Sequence, residues 1–119
     1  MYEYKGYTKA VVDGDTIDVD IDLGFRVTLG QRVRLAAINT PEVRGEMREA
    51  GLAAAAFVKG CLIIGGTIRL VTEKPHDDKY GRFLAHVYYA TSGGFEHYLN
   101  RELVETGHAV LFMGSLLDA

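Results

Sequence analysis

A single cysteine, Cys61, excludes an internal disulfide, so packing and hydrogen bonding must hold this chain of 119 residues together. No stretch is long and apolar enough to span a bilayer, and the start, Met1-Tyr2-Glu3-Tyr4-Lys5, lacks the apolar run of a signal peptide. The expectation is therefore no membrane association, with the compartment left open between cytoplasm and secretion after removal of a signal. Repeats, linkers and low-complexity tracts are missing too, which makes residues 1–119 one expected domain, large enough to bury a core alone and read as a monomer. The four histidines, His76, His86, His97 and His108, have no metal-ligand spacing and read as surface or packing residues. No Ser, His and Asp set is suggested by motif, which argues against acyl transfer. Positive charge is also scarce: the net charge is -3, which by itself disfavours tight tracking of a polyanion.

What is present is patterned. Ile17, Val19, Ile21 and Leu23 alternate with Asp18, Asp20 and Asp22, the period of a half-buried strand. Asp15 has the parity of the apolar face, where a carboxylate costs free energy unless paired, hydrogen-bonded or metal-bound. A second alternation, Val33, Leu35 and Ala37 against Arg32, Arg34 and Ala36, ends at Ile38 and meets Asn39-Thr40-Pro41-Glu42. Pro41 has no N–H and pushes Thr40 to an extended conformation, so the strand stops there and offers Glu42 from a loop.

The expected order is strand, strand, strand, helix, strand, strand, helix. The first three strands cover about residues 7–13, 16–22 and 25–38. Met47, Ala50, Ala54, Phe57, Val58 and Cys61 recur at helical spacing, with Gly65-Gly66 as the stop. Residues 83–90 form a further strand, and Tyr98, Leu99, Glu102, Leu103 and Val104 suggest a helix capped by Gly107. The mixture of meander and helices suits a partly open barrel, a common platform for single-stranded nucleic acid.

Three blocks, Val12-Asp13-Gly14-Asp15-Thr16, then Val33-Arg34-Leu35 through Thr40-Pro41-Glu42, then Asp78-Lys79-Tyr80-Gly81-Arg82 before Phe83-Leu84-Ala85, resemble the staphylococcal nuclease (thermonuclease-like) family in order and separation. The resemblance runs from about Tyr7 to about Phe112. It implies an α+β, mainly β fold: a five-stranded OB-type Greek-key barrel with two or three packed helices. It also implies a calcium-dependent phosphodiesterase acting on single-stranded DNA, and on RNA as a second substrate. Carried over by position, Asp15, Asn39 and Thr40 are metal ligands, Thr40 through its carbonyl. Glu42 is the base for the attacking water, Arg34 and Arg82 contact the phosphate, and Lys79 and Tyr80 lie along the nucleotide. The products would carry a 3′-phosphate.

The chemistry asks for such residue types on its own account. A phosphodiester gains charge at phosphorus as water adds, and arginine forks and a hard cation oppose that charge. Oxygen donors suit calcium better than zinc, and a carboxylate one water from phosphorus can act as base. Two departures from the family pattern stand out. Asn39 occupies a position where the family has Asp. At an effective dielectric near ~20 a unit charge ~4 Å away is worth on the order of 4 kcal/mol before desolvation, so weaker calcium affinity is expected. The segment from Gly107 to Met113 has no tyrosine to cover a base, leaving Phe112 and Met113 as nearby substitutes.

Plainer readings stand beside these. Asp13-Gly14 is a common turn signal, Arg34 could pair with an acidic neighbour, Glu42 could begin the next segment, and Arg82 could be a solvated turn residue. Cys61 falls on the apolar helix face as a small core side chain. Lys74, Lys79 and Arg82, with Arg32 and Arg34 nearby, would give the cleft local positive potential against the acidic strand, with weak binding to long duplexes. The competing reading of the whole is a nuclease-like module without turnover that binds nucleic acid or a protein partner. Its discriminator is whether calcium stabilises the fold.

Overall fold

The computed structural model describes residues 1–77 and 83–117, and of residues 73–77 the backbone alone. In chain order it contains β1 (Tyr2–Asp13), β2 (Thr16–Asp22), β3 (Thr28–Leu35), β4 (Ile38–Asn39), a single 3-10 turn (Gly45–Met47) and α1 (Arg48–Cys61). Then follow β5 (Thr67–Asp77), β6 (Phe83–Ala90), β7 (Glu96–Tyr98), α2 (Leu99–Glu105) and β8 (Val110–Leu111).

Five strands close a barrel. β1 pairs antiparallel with β2 and with β5, β2 with β3, and β5 with β6. The parallel pairing of β3 with β6 completes the ring, and β7 extends β6 beyond it. This is the expected OB-type architecture, with two helices packed on it. Ring closure leaves few strand edges for association with other chains.

The alternation in β2 does what its parity requires. Ile17, Val19 and Ile21 are buried inside with Val33, Leu35, Leu70 and Val87, whereas Asp18, Asp20 and Asp22 face outward. On that outer face Arg32 Nε donates to Asp18 Oδ1 (2.8 Å), and Asp20 lies 3.9 Å from Lys9 Nζ. Arg32 is therefore spent on its cross-strand neighbour Asp18, and does not join Arg34 in the cleft.

Helix α1 buries Gly51, Ala54, Ala55 and Val58, the spacing of one helical face. Because three of the four are Gly or Ala, the helix backbone can lie close to what it covers. The helix stops at Cys61, before the expected glycine pair, since Leu62 is already extended. The Gly65 N–H then donates to the Thr8 carbonyl (2.7 Å), and the Thr8 N–H to the Gly66 carbonyl (3.0 Å), stitching the connection to β1. Cys61 is half-buried against the core. Helix α2 buries Leu99, Asn100 and Leu103, and the left-handed Gly107 (φ 81) ends it.

Asn100 governs the place where β3 leaves β6. Its Nδ2 donates to the carbonyls of Ala36 (2.9 Å) and Ala85 (3.2 Å), and its Oδ1 accepts the Val87 N–H (3.0 Å). All these groups are buried, so each would cost about 1–3 kcal/mol if left unpaired. The chain can therefore turn sharply out of β3 at Ala36 and Ala37, with Ala37 in a left-handed conformation (φ 67), and start β4.

Candidate nucleic-acid and cation site

The site gathers at the mouth of the barrel where α1 covers it. Gly14 and Asp15 make a two-residue turn between Asp13 and Thr16, which pair directly. The turn is tightened from within, as the Asp15 N–H donates to Asp13 Oδ1 (3.0 Å). A side chain on Gly14 would have no room: its Cβ would meet Ala54 Cβ at 2.8 Å and Thr40 Oγ1 at 2.9 Å. The turn is thus clamped between helix α1 and the segment after β4.

Asp15, only 8% exposed, faces inward as its parity predicts. Its Oδ1 accepts from Thr16 Oγ1 (3.1 Å), and its Oδ2 accepts from the Thr40 N–H (3.2 Å) and from Arg34 Nη2 (3.5 Å). Arg34 sits opposite Thr16 across the β2–β3 ladder and is 9% exposed. Its Nη2 also donates to Asn39 Oδ1 (3.0 Å), and its Nη1 to the Leu35 carbonyl (3.1 Å). The Phe112 ring lies over the guanidinium, 5.7 Å from ring centre to Cζ, within cation–π range. A buried pair such as Asp15 and Arg34 is weak evidence for stability, because desolvation offsets the attraction. Each partner also makes further hydrogen bonds, Asp15 with Thr16 and Thr40, Arg34 with Asn39 and the Leu35 carbonyl.

Asp13 adds to the negative side. Burial pushes its carboxyl above the ordinary carboxylate value, and the neighbouring Asp15 pushes the same way, partly countered by the Asp15 N–H. The turn therefore sets the Asp13 carboxyl close to a second carboxylate, that of Asp15. By sequence alone Asp13 belongs to the first block and, with Gly14, reads as a turn signal.

The donors fit a hard cation. Asp13, Asp15 and the amide oxygen of Asn39 offer oxygens, the class that calcium takes and zinc does not prefer. Among the described residues no group of three or more His, Cys, Asp or Glu side chains could hold a metal, so amide and carbonyl donors would be needed.

Glu42 differs from its neighbours in being exposed, and its carboxylate makes no hydrogen bond or ion pair with the described residues. Of the residues singled out in the sequence, Asp15, Arg34, Asn39 and Thr40 meet in one hydrogen-bonded group. Glu42 follows two residues later on the same segment. Lys79, Tyr80 and Arg82 lie outside the described residues. Phe112, named as a substitute for a missing tyrosine, does reach the site, whereas Met113 is 86% exposed.

Residues 32–115 match the family model described as staphylococcal nuclease homologue. Over 83 residues the chain is 39% identical to a thermonuclease of Staphylococcus intermedius, covering 67% of this chain and 46% of that protein. An uncharacterised protein of Methanocaldococcus jannaschii is 27% identical over 135 aligned positions, covering 94% and 61%. One of Bacillus anthracis, also uncharacterised, is 33% identical over 111 positions, covering 90% and 47%. The chain thus spans about half the length of the curated relatives it matches.

Proposed function

The chain belongs to the staphylococcal nuclease homologue family, and on that premise we propose that it is a calcium-dependent phosphodiesterase that hydrolyses single-stranded DNA, with RNA as a second substrate. The observation that supports this reading most is the Asp15, Arg34, Asn39 and Thr40 group at the barrel mouth. There a buried guanidinium and a set of oxygen donors share one small space.

Asp15, Asn39 and the Thr40 carbonyl, beside Asp13, would hold the ion, which when bound would supply positive charge against the phosphate. Glu42 takes the proton of a water as that water's oxygen bonds to phosphorus. The bond from phosphorus to the leaving oxygen breaks on the opposite side, and the charge that grows on the equatorial oxygens is met by Arg34. Arg82, the residue before β6, is proposed as the second arginine. Supporting it, the first residues of β6 pair with the end of β3: Phe83 with Val33 and Leu84 with Arg34. Lys79 and Tyr80 are proposed along the nucleotide. Exposed Glu42 is accessible to water and substrate, as a base must be.

The test is cleavage of heat-denatured DNA, with calcium or with a chelator, by the protein and by Glu42→Gln. Calcium-dependent cleavage that the variant loses supports the reading. Absence of cleavage, or equal cleavage by both proteins, defeats it and leaves the binding module.

A further inference from the structure

Glu42 has no side-chain partner among the described residues, so its place depends on its backbone. That backbone is held at two points. Upstream, the Thr40 N–H is bonded to Asp15 Oδ2 (3.2 Å), and Thr40 Oγ1 stands where a Gly14 side chain would be. Downstream, the Glu42–Val43 peptide rests directly on α1 at Gly51. A Cβ on Gly51 would lie 2.1 Å from the Glu42 carbonyl oxygen, 2.4 Å from its carbon and 2.8 Å from the Val43 nitrogen. Carbon atoms do not approach backbone so closely, and here the obstacle is main chain that cannot rotate aside. Between the two anchors stands Pro41, whose ring fixes φ and leaves little slack.

We infer that Gly51 is a positioning residue: its missing side chain lets the Glu42 peptide seat on α1, and this seat sets where Glu42 stands relative to Asp15. The inference rests on the nuclease reading for its catalytic meaning. Gly51 is not needed for its backbone conformation, because it lies inside a regular helix without positive φ. A glycine there disfavours the helix, and close approach is the offsetting reason. Gly60 in the same helix supplies the matched control, since a Cβ on it would meet nothing within 4 Å.

The experiment compares Gly51→Ala with Gly60→Ala in the full chain. Amide resonances are recorded by 15N-correlated NMR, and kcat and KM are measured on a single-stranded oligonucleotide with calcium. The expected result is a displacement of the Glu42 and Val43 amide resonances in Gly51→Ala with the barrel resonances kept. A fall in kcat of about a hundred-fold at nearly constant KM should accompany it, as a misplacement near 1 Å produces. Gly60→Ala should leave both readouts unchanged and raise the unfolding midpoint. Resonances at Glu42 and Val43 that move no more than in Gly60→Ala would overturn the seat. Displaced resonances with undiminished kcat, in a protein that Glu42→Gln inactivates, would overturn its positioning role. General loss of the barrel resonances would overturn it too, marking Gly51 as a packing residue. A wild-type chain that does not cleave defeats the nuclease reading and the catalytic meaning of the seat together, while the resonances still report whether the seat exists.

Discussion

The hairpin of β2 and β3 has two ends built from the same two strands, and they could hardly differ more. At one end Thr16 faces Arg34, and the residues around them are buried, polar and bonded to one another. At the other, Asp22 faces Thr28, and the connection carries Leu23, Phe25 and Val27 into solvent, with Phe25 fully exposed. The tip burial is inverted: apolar side chains outside, while the opposite end keeps charged ones inside. Packing alone would place them the other way round. What separates the ends is cover. Helix α1 and the Thr40 segment press on the Gly14 turn, whereas a Cβ on Gly24 at the tip would meet nothing within 4 Å. Buried charge at the covered end carries a desolvation cost, and the proposed nuclease chemistry would account for it.

That contrast can be broken most forcefully at Arg34. Arg34→Ala should lower kcat by a hundred-fold or more, as loss of a positioned charge donor does, and should destabilise by about 1–3 kcal/mol by removing the ion-pair partner of the buried Asp15. Kinetics and urea unfolding on the same preparation check both. The tip offers no residue whose removal should match this.

Glycine substitutions sharpen the comparison next. Gly14→Ala should cost about 1–3 kcal/mol, because its Cβ would collide with Ala54 and Thr40. Gly24→Ala, unobstructed but left-handed (φ 78), should cost only about 1 kcal/mol of backbone strain. Equal unfolding midpoints for the two variants would remove α1 as the reason for the difference. Asn39→Asp should tighten calcium by about ten-fold, since it restores a charge to the donor set. An unchanged calcium midpoint would show that Asn39 serves Arg34 alone.

The weakest effects should come from the outer face and the tip. Arg32 holds the Asp18 carboxyl below its ordinary value, so this pair's contribution is present above the unfolded carboxylate pKa and is lost as pH falls through the lower folded one. Arg32→Ala should therefore lower the unfolding midpoint slightly at neutral pH, and not at all once Asp18 is protonated. Phe25→Ser should change stability by no more than about 0.5 kcal/mol, and cleavage not at all.

The covered end was legible in the sequence to the extent that parity could show it. Asp15 sits on the apolar side of β2, and Pro41 stops the chain before Glu42, so the inward carboxylate and the loop-borne one both follow from local rules. The continuous strand expected over residues 25–38 does not exist, for reasons parity cannot register. Phe25 and Arg26 adopt left-handed turn conformations (φ 52 and 63), which neither residue type signals, and Ala37 does the same (φ 67). β1 likewise begins at Tyr2, earlier than its alternation suggests, because pairing to β5 extends it. The pairing of β4 with β8, which brings Phe112 to Arg34, depends on contacts more than seventy residues apart in the chain. Nothing in the helical pattern marks Gly51, whose role rests on the approach of the Glu42 backbone to α1.

The most direct measurement is thermal unfolding across a calcium titration, for the protein and for Asp15→Asn. At a hundred-fold excess over Kd, calcium should stabilise the protein by about 2.7 kcal/mol, a rise of several degrees, and leave Asp15→Asn unmoved. Calcium without effect on the protein, or with equal effect on both, would contradict a cation site at the covered end of the hairpin.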